Sequence, residues 1–249
     1  MYKGRDKIQT LMASKKGQIA VLIDPEKSKD EVYLAELIKK SEFAGVAFFF
    51  IGGSTVSAQD FKATISFVKK HTAIPIVIFP GAAHQVSEEA DAILYLSLLS
   101  GRNAEYLIGQ HVTSAFEIHQ LELEVLPTAY ILIDGGNKSS VAYVSQTTPI
   151  PSSQTGIAVK TALAGVMQGK KIVFFDAGSG AINTVPSEIV DGFYSYSNEI
   201  TIVGGGVTDL QTIEQYKAAH VNVIVIGNKL EGDVDFLLDI ANYNQSTHE

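Results

Sequence analysis

The chain has 249 residues, of which 46% are hydrophobic, with a formal net charge of −8 and no cysteine. That content supports a large core and argues against disorder; the missing thiols exclude disulfides and thiolate metal sites; and the acidic balance disfavours non-specific nucleic-acid binding. The polar N-terminal stretch MYKGRDKIQTLMASKKG does not read as a signal peptide, and runs such as GVAFFFIGG are too short to span a bilayer, so a cytoplasmic protein is expected, with contact at a membrane surface left open.

Eight short apolar, β-rich runs recur along the chain: 18–24 (QIAVLID), 46–53 (VAFFFIGG), 74–81 (IPIVIFPG), 92–98 (AILYLSL), 129–136 (AYILIDGG), 171–178 (KIVFFDAG), 199–206 (EITIVGGG) and 222–228 (NVIVIGN). Their apolar cores are near-continuous rather than alternating, as in parallel strands covered on both faces. Helical spacing follows the first run from Asp30 (Val32, Leu34, Leu37, Ile38) and the second from Ser57 (Phe61, Ile65, Val68). The stretch after the third run is short. Weaker helical patterns cover 102–119, 157–168 and 186–197; a clearer one runs from Thr208 to His220, and GDVDFLLDIANY closes the series. Eight strands, each followed by helix-like sequence in a chain of about 250 residues, predict a single-domain (β/α)8 TIM barrel over 1–249, with a doubly wound open sheet as the rival. The one long irregular piece, 135–156, follows the fifth strand, and long loops in compact domains are often functional.

In such a barrel the site lies at the C-terminal ends of the strands. Those ends carry Asp24-Pro25, Gly52-Gly53-Ser54-Thr55, Pro80-Gly81, Ser97, Asp134-Gly135-Gly136, Asp176 with Gly178-Ser179-Gly180, Gly204-Gly205-Gly206 and Gly227-Asn228. The opposite ends carry ordinary loop residues. Glycines let backbone amides approach phosphate oxygens, and helix N-termini add partial positive charge, so the last three clusters read as a phosphate cradle. The bland alternative is a set of tight turns needing positive φ. Asp24 with Ser54 or Thr55 resembles a hard-cation environment, magnesium taking one or two carboxylates plus substrate phosphates. Helix capping explains the same residues without a metal. Asp176 is placed to take a proton from a hydroxyl held by the cradle, or else to accept amides of its own turn. A turn role suits Asp134. Metal-ligand histidine spacing, a G-x-S-x-G elbow and a Walker loop are all missing from the sequence.

Taken in order, LIDPEK (22–27), FIGGSTV (50–56), IVIFPG (76–81), YLSLLSGRNAEYLIGQH (95–111), AYILIDGG, VAYVSQTTPIP (141–151), FFDAGSGA, IVGGGV and VIGN resemble the geranylgeranylglyceryl phosphate synthase family, related to the heptaprenylglyceryl phosphate synthases, in its archaeal-type branch with bacterial members. The resemblance implies a TIM barrel that joins a prenyl diphosphate, geranylgeranyl diphosphate first among them, to the C3 hydroxyl of sn-glycerol 1-phosphate with release of diphosphate. It implies Mg2+ on Asp24 and Ser54. It places the glycerol phosphate against Phe174, Phe175, Asp176, Ala177, Gly178, Ser179 and Gly180, against Gly204, Gly205 and Gly206, and against Gly227 and Asn228. Asp176 is the implied base, where many relatives have glutamate, and Phe174 stands where many have tyrosine. A homo-oligomer is implied. The prenyl groove is expected among the third to fifth strand ends and the segment 95–106, including Leu98 and Leu99. The rival functions are a sugar-phosphate isomerase or aldolase, for which no strand lysine or facing acid–base pair is evident, and a non-catalytic phosphate-binding barrel.

Overall fold

Strands β1 (Gln18–Ile23), β2 (Phe48–Ile51), β3 (Ile76–Ile78), β4 (Ala92–Leu98), β5 (Glu124–Leu132), β6 (Ile172–Asp176), β7 (Ile200–Gly204) and β8 (Val223–Ile226) pair in parallel in chain order, and β1 closes on β8 with Ala20 opposite Val225. The structure, a computed structural model, describes residues 6–121 and 123–246. Closure decides against the open sheet and for the (β/α)8 barrel.

The two-residue period of a strand sorts side chains into two cores. One parity, including Ala20, Phe48, Phe50, Val77, Leu94, Tyr130, Phe174 and Ile202, fills the barrel. The other, including Val21, Phe49, Ile78, Ile131, Phe175 and Val203, packs under the helices. Burial on both faces is why the strands read as continuous apolar runs. Helix α1 (Lys7–Ser14) closes the N-terminal end of the barrel, with Ile8 and Met12 buried in the inner core. Around the outside run α2 (Glu31–Phe43), α3 (Ala58–His71), α4 (Gln110–Gln120), α5 (Ser140–Ser145), α6 (Thr155–Met167), α7 (Ser187–Tyr194), α8 (Leu210–Ala218), α9 (Asn228–Gly232) and α10 (Phe236–Ser246). Asp30, Ser57 and Asp209 cap α2, α3 and α8 by accepting amides of the first turn.

Four elements differ from the sequence expectation. The fifth strand starts at Glu124 rather than 129, because Pro127 is accommodated inside it: its carbonyl still accepts Lys171 N–H at 2.9 Å, and a proline lacks only the donor. The expected 102–119 helix is a π-helical turn, Glu105–Gly109, running into α4. The 135–156 stretch contains α5, and Ile150 forms a parallel bridge to Ile133. The last helical pattern, 232–243, becomes helix only from Phe236 in α10, and the short α9 forms ahead of it. Between β3 and β4 no helix forms; residues 79–91 run as turns, tied down by Asp91, whose carboxylate accepts Ile76 N–H at 2.8 Å and pairs with Lys69. The helix layer is open at that point.

Candidate active site

Asp24 ends β1 on the barrel-facing parity and is half-buried. Its Oδ1 accepts Glu26 N–H at 3.0 Å, and its carbonyl accepts the amides of Lys27 and Ser28, so the turn role is present. Burial raises its pKa, opposed by the Glu26 amide and by Lys27. The loop after β2 comes against it: a Cβ on Gly53 would lie 3.0 Å from Asp24 Oδ1. The two candidate hydroxyls next to Gly53 are used differently. Thr55 Oγ1 donates to Glu26 Oε2 at 2.7 Å, while Ser54 lines the apolar groove described below. One carboxylate and one hydroxyl suit magnesium that keeps waters and takes phosphate oxygens from substrate. A protein-only cage does not exist here: among the described residues no group of three or more acidic or histidine side chains can hold a metal ion.

Asp176 ends β6 on the inward parity and is buried. Both its oxygens are engaged: Gly178 N–H donates to Oδ1 at 2.9 Å, and the Tyr130 hydroxyl donates to Oδ2. Burial raises the Asp176 pKa; the Tyr130 and Gly178 hydrogen bonds oppose the shift. Tyr130 is the Cα partner of Phe174 across β5 and β6. Phe174 brings no hydroxyl, and the phenol in contact with Asp176 comes from the neighbouring strand. The Phe174 ring stacks on Phe79 at 5.3 Å and meets Tyr130 edge-on at 5.4 Å.

The sequence stretch 174–180 divides in the structure. Phe175 and Ala177 belong to the outer core, with Phe175 edge-on to Phe193, so their side chains face away from the barrel mouth. Three amides of this loop have partners within the protein: Ala177 N–H donates to Gly204 O, Gly178 N–H to Asp176, the turn role offered as its alternative, and Gly180 N–H to Asn228 Oδ1 at 2.8 Å. The loop after β6 is a wall. The loop after β7 presses on it. Gly205 has φ +84°, and a Cβ there would lie 2.8 Å from Gly178 N; Gly206 follows at φ +74°. Gly204 sits beside the Phe174 ring, where a Cβ would come to 3.1 Å. After β8, Gly227 precedes α9, which opens at Asn228. Asp134 makes the turn expected of it, accepting Gly136 N–H at 2.9 Å.

An apolar groove is lined by Ser54, Tyr130 and residues of the helix-free segment after β3, with about 700 Å3 of empty space inclusive of its opening to solvent. Ile93, Tyr95 and Leu98 of β4, Tyr106, and His111 of α4 line it. Tyr95 stacks on His111 at 4.0 Å, and burial lowers the His111 pKa. Leu98 thus lies in the groove, but Leu99 lines a separate cleft with Arg102 and Lys160. Sequence reasoning missed Gln85, which is fully buried and crosses the groove wall, accepting Gly81 N–H at 2.9 Å and donating to Gly53 O at 2.8 Å. Nothing in the local sequence signals that role. Tyr130 was also missed, although its inward parity two residues before the end of β5 was a readable signal.

The model of the PcrB family matches residues 12–243. A geranylgeranylglyceryl phosphate synthase of Chitinophaga pinensis is 44% identical, over 89% of this chain and 88% of the relative. One of Korarchaeum cryptofilum is 36% identical, over 92% and 93%. The crystal structure of (S)-3-O-geranylgeranylglyceryl phosphate synthase from Thermoplasma acidophilum in complex with sn-glycerol-1-phosphate superposes with a TM-score of 0.88 at 29% identity, covering 97% of this chain and 96% of that one. The chain belongs to the PcrB family and is an enzyme of the geranylgeranylglyceryl phosphate synthase type.

Proposed function

We propose that the enzyme joins a prenyl diphosphate, geranylgeranyl diphosphate first among them, to the C3 hydroxyl of sn-glycerol 1-phosphate, forming an ether bond and releasing diphosphate. The observation that carries this reading is the meeting of three features at one end of the barrel. The apolar groove is lined by Ser54, which follows the Gly53 that packs against Asp24, and by Tyr130, which donates to Asp176. An apolar chain in the groove would thus have its diphosphate end near Asp24 and Ser54 and its C1 facing Asp176. The glycerol phosphate is assigned to the wall formed by Gly178–Gly180 together with Gly204, Gly205, Gly206, Gly227 and Asn228.

In this reading Asp24 and Ser54 hold Mg2+, which when bound neutralises charge on the departing diphosphate. Asp176 accepts the proton of the attacking hydroxyl. The new C–O bond forms as the C1–diphosphate bond breaks, and the electron pair leaves with the diphosphate. Tyr130 orients the carboxylate, and the aromatic group of Phe79, Tyr130 and Phe174 keeps the reacting centre dry, which strengthens electrostatic interactions there. Assembly as a homo-oligomer and residence in the cytoplasm belong to the same proposal; no helix among the described residues is long and apolar enough to cross a membrane. The test is incubation with labelled sn-glycerol 1-phosphate, magnesium and a series of prenyl diphosphates. Label should move into an organic-extractable product; no transfer with any chain length would refute the reading.

A further inference from the structure

Five polar side chains outside the reacting centre form one connected chain around its rim. From the loop after β5, Asn137 Nδ2 donates to Ser179 O at 3.1 Å and to Gly180 O at 2.9 Å. From the other side, Asn228 Oδ1 accepts Ser179 Oγ–H at 3.0 Å and Gly180 N–H at 2.8 Å. Asn228 Nδ2 then donates to Glu231 Oε1 at 3.2 Å, and the same oxygen pairs with Lys27 Nζ at 3.0 Å. Lys27 belongs to the turn of Asp24, its own amide donating to Asp24 O at 3.0 Å. The Ser179–Gly180 peptide is gripped from both flanks, and one flank leads through α9 to the Asp24 turn.

We infer that Asn228, Glu231 and Lys27 form a positioning relay that couples the diphosphate side of the site to the glycerol-phosphate side, so that each ligand tightens the other. The inference rests on the assignment of the two sides in the proposed function. Its physical basis is order. The ion pair of the relay is half-exposed, Lys27 and Glu231 having side-chain exposures of 41% and 34%, so it holds weakly by itself. A diphosphate at Asp24 and Ser54 fixes the Asp24 turn and with it Lys27, Glu231 and Asn228. The wall at Ser179–Gly180 is then already ordered when the second ligand arrives, and a ligand that finds its site ordered binds more tightly. Coupling of this kind is reciprocal.

The test is calorimetric titration of sn-glycerol 1-phosphate into the full chain with magnesium, in the presence and absence of inorganic pyrophosphate. Pyrophosphate should tighten binding about fivefold or more. Glu231→Ala should reduce that factor to near one while still binding sn-glycerol 1-phosphate. Asn137→Ala, which loosens the wall without touching the relay, should weaken binding equally in both conditions and keep the factor. Equal affinity with and without pyrophosphate in the unaltered protein, weaker affinity with it, or an undiminished factor in a folded Glu231→Ala protein overturns the relay alone. Absence of any binding of sn-glycerol 1-phosphate by the unaltered protein overturns the proposed function, and the relay with it. Should Glu231→Ala not fold, Lys27→Met cuts the relay at its other end and carries the same expectation.

Discussion

The Tyr130 hydroxyl donates to Asp176 Oδ2 from the adjacent strand, while the position beside it on β6 is Phe174. The short carboxylate is therefore oriented by a phenol that reaches across the barrel ladder. Tyr130→Phe should remove a bond worth roughly 1.5–3 kcal/mol to a charged partner and lower kcat by about tenfold or more. It should also move the pH profile. If Asp176 is the base, it must be ionised to accept a proton, so activity should rise with pH through its pKa, which burial already places above the ordinary carboxylate value. The phenol opposes that rise, so its loss should shift the acidic limb of kcat/KM to higher pH. A limb that stays in place would show that the limiting group is not Asp176.

Asp176→Asn tests the same carboxylate through stability. The folded-state pKa lies above the unfolded value of 3.8, so the folded protein binds the extra proton in the window between them, and stability falls as pH rises through it. The destabilisation is complete above the folded value and absent below the unfolded one. Asparagine does not titrate. Urea unfolding across that window should show the unaltered protein losing stability relative to Asp176→Asn as pH rises, together with loss of turnover in the variant.

Ser54 and Thr55 are separated by their partners. Thr55 is occupied by Glu26, whereas Ser54 lines the apolar groove and follows Gly53, the residue that packs against Asp24. If Asp24 and Ser54 hold magnesium, Asp24→Ala should abolish turnover even at saturating magnesium, Ser54→Ala should raise the magnesium concentration needed for half-maximal rate, and Thr55→Ala should leave it near the starting value. The magnesium dependence of the initial rate distinguishes the three variants.

Much of the frame was legible in the sequence because parallel strands buried on both faces leave an unbroken apolar signature, and because glycines and acids gathered at one end of each run. Asp24, Ser54, Asp176 and the glycine loops could be placed on one rim for that reason. What could not be read depends on contacts between distant segments. Gln85 reaches Gly53 across 32 residues of chain and ties it to Gly81, and Pro127 masks the first half of β5 although only its missing amide departs from strand chemistry. The amides of Ala177 and Gly180 go to Gly204 and Asn228, acceptors set by register and not by local spacing, whereas the Gly178 amide goes to Asp176 two residues before it, the turn role that the sequence already offered.

Gly205→Ala probes the contact between the sixth and seventh loops. Its φ of +84° is strained for any side chain, and the added Cβ would approach Gly178 N to 2.8 Å and Ala177 Cβ to 2.9 Å. Backbone strain of this kind costs about 1–3 kcal/mol. Thermal unfolding should show that loss, and the displaced wall should raise KM for sn-glycerol 1-phosphate more than it lowers kcat. A variant as stable as the parent, with unchanged KM, would remove this loop contact from the account of the phosphate site.

At the other end of the barrel, Glu124 closes the floor. The buried carboxylate at the start of β5 accepts Ile8 N–H and Gln9 N–H, each at 2.7 Å, and so caps α1 from another part of the chain. Two otherwise unpaired amides and the positive end of a helix are satisfied by one acid. Glu124→Ala should cost roughly 2–3 kcal/mol, by analogy with cap removal and the loss of charge-assisted bonds. Because Ile8 and Met12 seal the inner core, the loss should appear first as faster amide hydrogen exchange in α1 and in the strand ends it covers. The proposed reacting centre lies at the opposite ends of the strands, so kcat measured well below the unfolding temperature should hold. A variant that loses kcat in proportion to stability would show instead that the floor and the mouth of this barrel are not independent.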